Sequence, residues 1–356
     1  MISALNPRER VLTTLEHEEP DRVPLTDHIY MPKSLEGILG EPGVRVDTPE
    51  KYIKVHKILG LDIICAFPAA SPMTQLGERE YVDVWGIRWR VVDGMPWYVE
   101  GTLKDAEDIE RLAIPDPHEE FWYKAAERII KLVGGELAIA GIVEGPFTRT
   151  WMPLGFTRFS KMLYTEPSTI RKLIDKVTYF FIELGKNFIE RGVDIIWIPD
   201  DLGYVNGPML SPALLRRFFF PRLKEMVHTF KRRGVKVLLH SDGQLMPIME
   251  DIVNTGLDGI HPIERAAGMS LKVMKERYGD QLTLIGNVGA KTVLQNGPLE
   301  SIKEQVLECI SIAAPGGGYI LASDHSIHEG IPPAHVKYMF KVAKQYGRYP
   351  LRIPTA

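Results

Sequence analysis

Hydrophobic positions in this chain gather into short apolar runs, each closed by polar residues and followed by a longer stretch of helical periodicity. The runs are Arg22–Thr26, Leu61–Cys65, Glu136–Ile142, Val193–Pro199, Val235–His240, Gly256–Ile260, Leu282–Gly286 and Gly318–Ala322. Such runs mark strands buried on both faces, as in parallel sheet. Several follow a helix-ending glycine, as in ERG-VDIIWI, RRG-VKVLL and NTG-LDGIH. Strands alternating with helices predict an α/β fold, and eight such units predict a single (β/α)8 TIM barrel.

Two segments stand outside the repeat. Asn6 followed by Pro7 predicts a capped helix running to about His17, an N-terminal helical extension within residues 1–20. Residues 80–100, with YVDVWGIRWRVVDGMPWYVE, alternate with period two around the turn-forming pair Asp93-Gly94. They predict a small β-hairpin insertion. The competing doubly wound fold lacks its GxGxxG signature, and Gly316-Gly317-Gly318 precedes a strand where a phosphate loop would follow one. No nucleotide cofactor is expected, and residues 1–356 read as one domain.

Composition narrows the function classes. The chain has 356 residues, 45% hydrophobic and 25% charged, with a net charge of −3, so neither nucleic acid nor a membrane surface is an expected partner. No apolar stretch reaches the roughly 18 residues of a membrane span, and the charged N-terminus lacks the apolar segment of a signal peptide. A cytoplasmic protein is expected. Cys65 and Cys309 sit in apolar runs and read as core residues rather than a disulfide.

Active sites in barrels lie at the carboxyl ends of the strands. Here those ends carry Asp27-His28, Phe67-Pro68, Glu144, Asp200-Asp201, His240-Ser241-Asp242, His261 with Glu264, Asn287, and Asp324-His325 with His328. Individually these could all be turn caps, but together they would assemble a concave polar site. In an extended chain His240 and Asp242 project to one side. With His325 they form a set suited to zinc, iron(II) or manganese, to which Glu264 or Asp200 could add an oxygen. The alternative is a hydrogen-bonded substrate clamp without metal. One of Asp200 and Asp201 is expected to face the mouth as a proton acceptor, the other to cap the turn. Arg149 is a candidate clamp for a substrate carboxylate, or stacks on Trp151. His28, Glu144, His261 and Asn287 complete the candidate substrate-binding residues.

The segments NPRERVLTTLEHEEPDRVPL, GVDIIWIPDDLGYVNGPMLSPALLRRFFFPRLKEM, VLLHSDGQLMPIMEDIVNTGLDGIHPIE, LIGNV and GGGYILASDHSI together resemble the uroporphyrinogen decarboxylase superfamily over essentially the whole chain. The resemblance implies a single (β/α)8 barrel and one of two chemistries. True decarboxylases of this family bind a porphyrinogen's carboxylates with arginines after the first strand and place an aspartate near the end of the second. The matching segments here, TDHIYMPKS and IICAFPAA, lack both. The other branch is similar to corrinoid-dependent methyltransferases and O-demethylases. Its thiol-activating members hold zinc with His-x-Cys after the fifth strand and a distant cysteine after the eighth. His240, Asp242 and His325 occupy those places, which replaces thiolates by harder donors and favours an oxygen-bearing substrate.

The expectation is therefore a methyltransferase acting on a small molecule, with a corrinoid protein or a pterin as the other methyl carrier. The alternative is a carboxy-lyase in which Arg149 binds the carboxylate. A non-catalytic corrinoid carrier has little support, because the chain lacks Asp-x-His-x-x-Gly. A homo-oligomer is left open: neither the hairpin nor RRFFFPR (216–222) can be assigned as a subunit face.

Overall fold

The computed structural model describes residues 4–92 and 94–353. Seven parallel strands form one curled sheet in chain order: Ile63–Ala66, Ala138–Ile142, Ile195–Pro199, Lys236–His240, Gly259–His261, Thr283–Val288 and Tyr319–Ser323. All but two of their residues are buried, as their near-continuous apolar character requires. The alternate residues Ile63, Cys65, Ala138, Ala140, Ile195, Trp197 and Leu238 form an inner core, which Val11 and Leu15 of the N-terminal helix join. The larger core lies between the sheet and the surrounding helices.

The first expected strand, Arg22–Thr26, is not one. It makes isolated bridges, Leu25 with Leu321 and Arg22 with Arg348. Pro24 has no amide hydrogen for a ladder and pins the chain's φ. The segment still joins the two edges of the sheet: Asp62 donates to the Leu25 carbonyl (2.7 Å) and Thr26 to that of Leu321 (3.1 Å).

The helix expected over Asn6–His17 spans Pro7–Leu15. Asn6 Oδ1 accepts the Glu9 amide at 2.8 Å, and the Glu9 carboxylate accepts that of Asn6 at 3.0 Å. In place of a two-stranded hairpin, the insertion is a four-stranded antiparallel sheet of Met73–Gln75, Glu80–Asp83, Ile87–Val92 and Met95–Gly101. Of the expected Asp93-Gly94 turn, Asp93 lies outside the described residues. The sheet docks through Trp85 onto Phe180 (5.1 Å between ring centroids) of the long helix Pro167–Glu190. Cys65 and Cys309 are buried free thiols. Among the described residues no helix is long and apolar enough to cross a membrane.

One buried group on the scaffold makes stability depend on pH. His56, in helix Pro49–Leu59, sits 3.0 Å (Nδ1) from the Tyr52 carbonyl. Burial pushes its imidazole from 6.5 down to about 4. The unfolded chain thus binds a proton near pH 6.5 that the folded chain refuses until about pH 4. This contribution is fully present above 6.5 and lost as the pH falls towards 4, by about 3 kcal/mol. Urea midpoints should fall between pH 7 and 4.5, and His56→Leu should flatten that slope. An unchanged slope in the variant would assign the effect to other groups.

Candidate functional site

Strand parity decides which end residues enter the mouth. Ile195 and Trp197 belong to the inner core, and alternate residues share a face. Asp201 therefore continues the inner row and Asp200 the outer one. Asp201 lines a cavity of about 480 Å³ at the carboxyl ends of the strands. The Asp200 carboxylate instead accepts the amides of Phe147 (3.1 Å) and Thr148 (2.7 Å), at the start of helix Pro146–Trp151. Burial pushes it up to about 7. Gly145 allows this approach, since a Cβ there would stand 2.3 Å from Asp200 Cβ. Asp200, expected among the catalytic candidates, is a helix cap.

The same parity carries Leu238 of the inner core on to His240 and Asp242. Their neighbours hold the turn. Ser241 Oγ accepts the Leu202 amide at 2.9 Å. Gly243, at φ 92°, packs so closely on Gly203 and Tyr204 that a Cβ would come within 2.4 Å of backbone. Asp242 is left facing the cavity. Its Oδ2 lies 3.7 Å from His240 Nε2 and 3.3 Å from His325 Nε2. Asp201 Oδ1 lies 3.9 Å from His240 Nε2 and accepts the Asp242 amide at 3.1 Å. Asp242 Oδ1 is buried with no partner among the described residues.

Three expected residues are placed differently. Glu264 accepts the Gly243 amide at 2.7 Å and supports the turn from outside the cavity. Asn287 donates to the Ile263 carbonyl at 2.8 Å and is wholly buried. His261 pairs in register with His240 on the adjacent strand and stands behind it, with the two Nδ1 atoms 2.6 Å apart. His28 does line the cavity, its ring stacked on His240 at 4.8 Å. Asp27 sets its position, accepting the amides of His28 (2.9 Å) and Ser323 (3.0 Å).

The electrostatics divide the three imidazoles. Burial and the neighbouring His240 charge hold His28 and His261 well below the ordinary histidine range. Burial also opposes a charge on His240, but Asp242 and Asp201 outweigh it and raise that group. Asp242 is lowered, His240 and His325 overcoming its burial. Asp201 is raised by burial and by repulsion from Asp242. The site thus pairs one imidazolium-prone ring with a carboxylate, over two neutral rings.

The rest of the cavity is largely aromatic. Tyr30, Phe67, Trp85, Trp89, Trp122 and Phe180 contribute to its walls. Of these only Phe67 lies among the strand-end residues singled out from the sequence. Trp89 stands on the strand Ile87–Val92 and Trp85 in the turn before it, and nothing local in the sequence says that the insertion covers the mouth. Arg149 and Glu144 also line the cavity, 3.2 Å apart, and Arg149 Nη1 is 3.9 Å from Asp83 Oδ2. Arg149 Nε and Nη1 are buried without hydrogen-bond partners among the described residues.

Two groups of donor atoms lie close enough together to hold a metal ion, and neither includes His325, which was expected in the set. Bonds of about 2.0–2.1 Å in a tetrahedral site place donor atoms roughly 3.3 Å apart. The 3.3 and 3.7 Å separations around Asp242 Oδ2 match that spacing. Donor atoms of Asp201, His240 and Asp242 lie within 4.8 Å of one another, as do those of His28, His240 and His261.

Comparison with known proteins places this geometry in context. The model of the family described as Uroporphyrinogen decarboxylase (URO-D) matches residues 81–346. The chain is 28% identical over 359 aligned residues to the uroporphyrinogen decarboxylase of Alkalilimnicola ehrlichii, covering 95% of this chain and 93% of that protein. A methyltransferase from Methanosarcina mazei shares the fold at a TM-score of 0.78 and 24% identity, over 96% of this chain and 99% of that one. A B12-independent methionine synthase from Shewanella sp. W3-18-1 superposes at 0.50 with 10% identity, over 84% and 87% of the two chains.

Proposed function

This chain belongs to the uroporphyrinogen decarboxylase (URO-D) family, and from that premise we propose that it is a methyltransferase moving a methyl group between a small oxygen-bearing substrate and a corrinoid held by a separate protein. The observation that carries this reading is the Asp242 carboxylate between the His240 and His325 imidazoles, at 3.7 and 3.3 Å, within an aromatic-walled cavity. A methoxylated aromatic compound has the matching shape and chemistry.

Breaking a methyl–oxygen bond leaves the electron pair on oxygen. His240 and His325 turn nitrogen donors towards the place where that charge develops, and Asp242 orients both rings. A divalent metal held by Asp201, His240 and Asp242, whose donor atoms lie within 4.8 Å of one another, with His325 3.3 Å from Asp242, would supply Lewis acidity to the same oxygen. The aromatic walls hold a flat substrate and exclude water. Methyl transfer needs in-line alignment, so this positioning supplies much of the rate. A polycarboxylated porphyrinogen suits the cavity poorly, since Arg149, the one arginine among the described residues that line it, already faces Glu144, and Asp201 and Asp242 add further negative charge.

A second reading, decarboxylation of a smaller acid, is favoured by one feature. Arg149 Nε and Nη1 have no hydrogen-bond partner among the described residues, and the side chain could clamp a single carboxylate. The two readings separate on a corrinoid requirement. Elemental analysis of untagged protein should find near-stoichiometric zinc, iron or manganese that is lost in His240→Ala. Demethylation of methoxylated aromatics should then require a corrinoid protein. Carbon dioxide release from a carboxylated substrate without any corrinoid would replace this proposal with the second.

A further inference from the structure

We propose that Asp83, together with Glu144, neutralises Arg149 and so makes the cavity select an uncharged methoxylated aromatic compound over one that carries a carboxylate. The inference deepens the proposed function and rests on its premise that a methoxylated aromatic compound is the substrate.

Asp83 closes the strand Glu80–Asp83 of the insertion, and its side chain is 2% exposed. Three N–H groups fix the carboxylate. Oδ1 accepts the amides of Trp85 and Ile87, both at 2.9 Å, and Oδ2 accepts Trp89 Nε1 at 3.0 Å. The same Oδ2 lies 3.9 Å from Arg149 Nη1. Glu144 accepts Nη2 of that arginine at 3.2 Å. Arg149 thus meets one carboxylate from the insertion and one from the barrel. Its Nε and Nη1 have no hydrogen-bond partner among the described residues, but both atoms are buried. A ligand in the cavity reaches them only by displacing the wall.

An arginine recognises a carboxylate by offering parallel N–H groups and a full positive charge. Here that charge is already matched, because one cation faces two acids. A substrate carboxylate entering beside Arg149 meets a group of net negative charge, and Asp201 and Asp242 line the same cavity. A neutral ring meets no such repulsion. With its Nε1 engaged by Asp83, Trp89 shows the cavity carbon surface alone. Together with Phe67 and Trp122 it offers the flat contact that an aromatic ring needs.

The test compares 4-methoxybenzamide with 4-methoxybenzoate, which share size and shape and differ in charge. Titration calorimetry on the full chain as purified gives both dissociation constants for wild type, Asp83→Asn and Glu144→Gln. Wild type should bind the amide about tenfold more tightly than the benzoate, and each substitution, by removing one like charge several ångströms away, should narrow that ratio about tenfold. A role confined to holding the insertion in place would weaken both probes alike. An unchanged ratio in Asp83→Asn would therefore overturn the inference. Glu144→Gln leaves the turn after Asp83 intact, so an unchanged ratio there does the same if Asp83→Asn does not fold. Tighter binding of the benzoate by wild type would also overturn it, while leaving methyl transfer standing. Binding of neither probe by wild type would remove the aromatic substrate of the proposed function, and this inference with it.

Discussion

Asp242→Asn is expected to lower kcat/KM for methyl transfer by on the order of 10³ while leaving the thermal midpoint close to wild type. The carboxylate stands 3.7 and 3.3 Å from two imidazole nitrogens. An opposite charge at about 4 Å in an environment of effective dielectric near 20 is worth about 4 kcal/mol, which corresponds to roughly three decades in rate. Asparagine keeps the shape and the backbone turn, because Ser241 and Gly243 hold that turn by their own contacts. Initial rates with a methoxylated aromatic, a corrinoid protein and each enzyme form would measure the effect. A loss under tenfold would place the reacting oxygen away from Asp242. Asp200→Asn is the informative neighbour: it alters a helix cap outside the cavity and should cost stability before rate.

The largest effect on stability is expected at the opposite end of the barrel. Asp62, immediately before the strand Ile63–Ala66, has no exposed side-chain surface. It accepts Arg10 Nη1 at 2.7 Å, Arg22 Nη1 at 2.9 Å and the Leu25 amide at 2.8 Å. Arg10 also binds Asp21, 2.7 Å away. Asp62→Ala leaves two largely buried guanidinium groups short of a counter-charge and frees the amide that ties residues 24–26 to the sheet. Breaking such a cluster from one side costs about 3–5 kcal/mol, against a total stability of about 5–15 kcal/mol. Equilibrium urea unfolding should show the loss. A change below about 1 kcal/mol would mean that water enters and solvates the arginines.

Much of the fold could be read in advance because its signals are local. The seven parallel strands overlap the apolar runs, most of them starting one or two residues later than expected and four ending one or two residues beyond. Asn6 and Glu9 form the cap that their spacing implies. The run Arg22–Thr26 misled because its composition is strand-like while Pro24 denies it a ladder. The insertion was recognised by its alternation, but its additional strand, Met73–Gln75, is three residues long and exposed, which leaves little pattern to detect.

The site divides along the same line. The sequence alone determines that His240 and Asp242 share a side, that the strand ends collect acids and imidazoles, and that only one of Asp200 and Asp201 can face inward. Those facts follow from the two-residue period of a strand, which involves no distant partner. The tertiary structure decided the rest. It set His261 behind His240 through the register of two neighbouring strands and brought His325 to Asp242 across 83 residues of chain. It turned Glu264 and Asn287 to structural contacts and laid Trp85 and Trp89 over the mouth. Period and capping are settled by the few residues around each position. Which polar group meets which across the barrel depends on how the whole chain packs, and no short stretch of sequence contains that information.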